Sequence, residues 1–102
     1  MWIALLITTL FAAIPAHAGE LSAQSTGRDW ERADETEKVV WATAAGRLAW
    51  PDASPIVAGY KMFSCLNSAM RARTRAEKEA VVMMRRTSLA QISAACGVLT
   101  PD

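Results

Sequence analysis

Two cysteines, Cys65 and Cys96, lie 31 residues apart, and they constrain this chain more than any other feature. The Cα atoms of a bridged pair lie within about 7 Å of each other. If residues 75–96 formed one straight helix after a hairpin near Thr74, Cys96 would lie about 33 Å from the hairpin and Cys65 about 13 Å, at about 1.5 Å per residue. If 55–86 formed one helix, with a hairpin near Ser88, the mismatch would again be about 20 Å. A crosslink therefore demands two helix breaks between the cysteines. The sequence offers a start signal at each: Thr74-Arg75-Ala76-Glu77 and Ser88-Leu89-Ala90-Gln91 both have the capping-box pattern.

The N-terminus bears on whether that crosslink forms. The run at 3–14 carries no charge, Pro15 ends it, and Ala16-His17-Ala18 places small residues where a signal peptidase reads. The pattern predicts a secretory signal peptide over 1–18. It departs from the usual form in having no Lys or Arg at Met1-Trp2. The run is shorter than the ~20 apolar residues of a transmembrane helix, so no transmembrane span is expected. The alternative is a buried N-terminal helix of a cytosolic protein. Cleavage after Ala18 removes His17, the single histidine. The expected location is the periplasm or the outside of the cell, where disulfides persist. One Cys65–Cys96 disulfide is then the default, with two buried thiols as the alternative. Metal and catalysis fit poorly. A zinc site takes about four Cys, His or acidic ligands, and a thiol nucleophile wants an activating base. No cofactor is expected.

Helix signals punctuate the rest. Residues 19–27, GELSAQSTG, read as a flexible polar leader, and 28–102 as a single helical domain. Asp34-Glu35-Thr36-Glu37 is a capping box, followed by Trp41, Ala44, Ala45 and Leu48 at helical spacing. Trp50-Pro51 ends that helix. Ser54-Pro55 reads as an N-cap with proline at the first helical position. The next helix places Ile56, Gly59, Tyr60, Phe63, Leu66 and Met70 on one face, with Met62, Cys65 and Ala69 widening it. Ala80, Met83, Met84 and Thr87 form a third stripe, and Leu89, Ile92 and Cys96 a fourth. Gly97 suits a left-handed C-terminal cap. The expectation is an all-α fold: a small bundle of three to four short helices, at about 35–49, 55–73, 75–86 and 89–96, stapled by one disulfide.

Function is less constrained. The chain holds 11 Lys and Arg against 10 Asp and Glu, a net charge of +1, but the bases concentrate in one stretch. Arg71, Arg73, Arg75, Lys78, Arg85 and Arg86 form a candidate surface for an anion or an acidic partner. The competing reading is a solvated helix junction, partly neutralised by Glu77 and Glu79. No aromatic residue is interleaved with these bases to stack on nucleotides, so nucleic acid is not an expected partner. Trp30, Trp41, Trp50 and Tyr60 are candidate pocket or interface aromatics, although the tryptophan spacing also suits core packing. Glu31, Asp34, Glu35 and Glu37 sit where a helix start favours negative charge, which explains them better than acid–base chemistry does. The sequence thus points to a non-catalytic binding or accessory protein acting through protein–protein contact in the cell envelope. The alternative is a peripheral envelope protein that binds an anionic lipid or polymer through 71–86.

Overall fold

The computed structural model describes residues 21–99. The expectations for the signal peptide and for Gly19 and Glu20 lie outside them. The described chain forms five helices: α1 (Gly27–Arg32), α2 (Glu35–Ala49), α3 (Pro55–Ala69), α4 (Arg75–Arg86) and α5 (Leu89–Leu99). No strand occurs among the described residues, only one antiparallel bridge between Thr26 and Ser88.

Each predicted start signal caps its helix. The Glu37 amide donates to Asp34 Oδ1 at 2.8 Å, the Val57 amide to Ser54 Oγ at 3.2 Å, the Glu77 amide to Thr74 Oγ1 at 3.1 Å and the Gln91 amide to Ser88 Oγ at 3.1 Å. These bonds satisfy amide donors that a helix end leaves without partners. Both breaks between the cysteines exist, and α5 runs beside α3. Cys65 and Cys96 form a disulfide with their Cα atoms 6.0 Å apart.

α2 and α3 make the most intimate pair, because their facing residues are small. Ala42, Ala45 and Gly46 meet Ala58 and Gly59, all buried. A Cβ at Gly46 would collide with the Ala58 carbonyl. A Cβ at Gly59 would lie 3.0 Å from Thr43 Oγ1 and 3.3 Å from Thr43 Cα. Two glycines therefore set the helix separation. Around this contact pack Trp30, Trp41, Met62, Leu66, Leu89 and Cys96. The indoles also find acceptors, as buried Trp requires. Trp41 Nε1 donates to Ser93 Oγ at 3.0 Å, and Trp30 Nε1 donates to Asn67 Oδ1 at 3.1 Å.

Several expectations are corrected. Helix α1 was not foreseen. Thr26 caps it, with the Asp29 amide donating to Thr26 Oγ1 at 3.4 Å and the Thr26 amide to Asp29 Oδ2 at 2.8 Å. The segment read as a flexible leader is, from Leu21 on, part of the packed structure. Leu21 and Ala23 are buried, and the Leu89 amide donates to Ser25 O at 2.7 Å. Helix α3 ends at Ala69, earlier than expected, and α5 continues through Gly97 rather than ending there. Gly97 faces Ala49 instead: a Cβ there would lie 3.1 Å from the Ala49 Cβ.

The buried faces are rotated from the hydropathic stripes. On α2 the inward residues are Trp41, Ala42, Ala45 and Gly46, while Leu48 is exposed. On α3 they are Ala58, Gly59, Met62 and Leu66. Ile56 is 85% exposed and Tyr60 72%. On α4, Val81 turns in and Met83 points out. The physical reason is common to α2 and α3. Close approach of two helices selects small side chains at the crossing, and larger apolar residues are displaced to its margin.

Candidate binding surfaces

Displacement of Ile56 and Tyr60 creates a groove. Its floor is Ala42 of α2 and Gly59 of α3, and its walls are Val39, Thr43, Ile56 and Tyr60. Phe63 also lines it and meets the Trp30 ring edge-on, with centroids 5.6 Å apart. The volume is about 290 Å³, at the lower edge of the range for ligand pockets. The small residues that let α2 and α3 approach also make the floor, so the groove follows directly from the helix crossing. Its polar groups are the Thr43 and Tyr60 hydroxyls. The rest of its lining is apolar, which suits contact with an apolar side chain.

The structure separates the four aromatic candidates. Trp30, Trp41 and Trp50 are only 1%, 1% and 3% exposed and serve as core. Lys38 Nζ lies 5.6 Å from the Trp30 ring centroid, and Lys61 Nζ lies 4.4 Å from that of Trp50. These cations cover what little of the indoles reaches the surface. Tyr60 alone lines the groove. Of its most prominent partners, Ile56 is expected from the sequence on an inward apolar stripe and Val39 on none, since nothing local marks an apolar residue that the fold leaves outside.

The basic residues also divide. Arg71, Arg73, Arg75, Lys78 and Arg86 are exposed. Arg85 is held by Glu31 of α1 in a two-pronged pair, Nε to Oε1 at 2.7 Å and Nη2 to Oε2 at 3.3 Å. The hydrogen bond and the charge of Glu31 raise the Arg85 guanidinium above its ordinary range. Glu77 caps its own helix, accepting from the Arg73 amide at 3.1 Å. Among the described residues no three His, Cys, Asp or Glu side chains gather to hold a metal, and no helix is long and apolar enough to cross a membrane.

No family model, curated protein or solved structure matches this chain.

Proposed function

We propose that this chain is a small exported binding protein, periplasmic or secreted, without catalytic activity of its own. It acts by protein–protein contact through the α2–α3 groove. The observation that carries the reading is the exposure of Ile56 and Tyr60 beside a floor of small residues. A groove of this kind accepts one or two apolar side chains from a partner, and burying exposed apolar surface drives association. The disulfide and the apolar N-terminal segment support export.

Photo-crosslinking in intact envelopes tests this reading, with the reactive group placed at Val39. A defined adduct is expected from the wild-type chain and its loss from Ile56→Glu and Tyr60→Glu. An adduct that survives both substitutions removes the groove from the interface.

A further inference from the structure

Helix α4 is attached by one edge. Its single buried residue is Val81, and that residue lies outside the main core cluster, against which only Met84 of α4 packs. Its principal neighbour is α1, through the Arg85–Glu31 pair among other contacts. The rest of the helix faces solvent. At 100° per residue, Lys78, Val82, Arg75, Arg86, Glu79 and Met83 follow one another across an arc of about 140°. All six are exposed, Met83 at 71% and Val82 at 47%. Arg71 and Arg73 extend the same charge along the preceding turn. Of the acids nearby, Glu77 is engaged in capping, which leaves Glu79 as the one carboxylate on the arc.

We propose that this outer face of α4, with the turn before it, docks on an anionic lipid surface. Arg71, Arg73, Arg75, Lys78 and Arg86 pair with headgroup phosphates, and Met83 and Val82 enter the headgroup boundary. Two observations select the lipid. The excess of cations gives charge complementarity, and two exposed apolar side chains share the arc with those cations, Val82 between Lys78 and Arg75 and Met83 at its end beside Glu79, an arrangement suited to an interfacial helix. A soluble polyanion takes up the charge but offers no apolar phase to Met83. The surface lies on a different helix from the α2–α3 groove, so either can fail without the other.

The test is co-sedimentation of the full, disulfide-bonded chain with vesicles. One set contains phosphatidylglycerol mixed with phosphatidylcholine, the other phosphatidylcholine alone. Binding to the anionic set only is expected, with loss at ~1 M salt, where the screening length falls to about 3 Å. Each cation removed should weaken binding about fivefold, so Arg75→Gln with Arg86→Gln should lower affinity about 25-fold. Arg47→Gln, which removes an exposed cation from α2, should leave it unchanged. Met83→Ser should weaken vesicle binding severalfold and leave any binding to soluble polyglutamate untouched. Every effect is read against the wild-type chain, so the N-terminal apolar segment contributes equally to both. Equal binding to both vesicle sets, or full binding by the double variant, overturns the proposal. Polyglutamate binding as tight as vesicle binding, with Met83→Ser silent on both, assigns the surface to an acidic polymer or protein instead. The wild-type salt titration decides the matter even if a variant folds poorly.

Discussion

Trp41 and Ser93 are joined by a hydrogen bond of 3.0 Å inside a core where both are fully buried, 52 residues apart in sequence. The pair ties α2 to α5 and explains why a serine occupies the interior of an otherwise apolar helix face. Ser93→Ala leaves the indole N–H without an acceptor and should cost about 1–3 kcal/mol. Urea denaturation checks this, with the midpoint falling and the slope unchanged. A midpoint equal to the wild type's would show that the hydroxyl contributes nothing.

The disulfide closes a loop of 31 residues. In the chain-entropy model that closure stabilises the fold by about 3–4 kcal/mol, a large share of the total for a chain of this size. Iodoacetamide should add no mass to the non-reduced protein. Replacing Cys65 and Cys96 together by Ala should lower the unfolding midpoint to match. Two alkylated cysteines in protein isolated without reductant would refute the bridge.

Gly46 and Gly59 should respond differently to alanine. Alanine favours a helix by about 1 kcal/mol, yet at Gly46 the new methyl meets the rigid Ala58 carbonyl. Overpacking of this kind costs about 1–3 kcal/mol or more, so Gly46→Ala should destabilise. At Gly59 the nearest atom is the Thr43 hydroxyl, which rotates, with the Thr43 backbone slightly farther away. Gly59→Ala should therefore cost less. Thermal melting of the two variants ranks them, and the reverse order would contradict the helix crossing described above.

The Arg85–Glu31 pair fastens α4 to α1 at a site partly open to water. Glu31→Gln should speed amide exchange in α4 while the global melting temperature barely changes, and added salt should shrink the difference. Arg85 is raised above its ordinary range, so its contribution is present below that range and is lost only as pH rises through it. No change traceable to Arg85 deprotonation is expected between neutral pH and moderate alkalinity. Unaltered exchange in Glu31→Gln would mean that other contacts hold the helix.

The helix starts were legible because each is a local event: a Ser, Thr or Asp side chain within three residues of the amide it caps. The two breaks followed from Cys65 and Cys96 with no more than helix geometry. Helix α1 escaped notice because Thr26-Gly27-Arg28-Asp29 uses Asp where the common pattern has Glu or Gln, and because it follows a polar stretch. The leader was misread since Leu21 and Ala23 are only two apolar residues, and the backbone bond that anchors the stretch, from the Leu89 amide to Ser25 O, reaches far along the chain to α5. The basic stretch was plain in the sequence, whereas the pairing of Arg85 with Glu31, 54 residues away, was not. The groove was hidden for a different reason. Hydropathy assigns the largest apolar side chains to the interior, and here glycine and alanine took those places and turned Ile56 and Tyr60 outward.

α4 is the one helix that lies wholly inside the loop closed by the Cys65–Cys96 bond. The fully buried residues of the main core all come from the other segments. A protease that cuts in the turn before α4, or in the helix itself, therefore leaves two pieces still joined through sulfur. The element carrying the cations can detach, bend or be nicked while the remaining helices stay on one covalent frame. The molecule is built like a closed clasp with a movable tongue: its most exposed helix is also the one whose loss of order the fold can best survive.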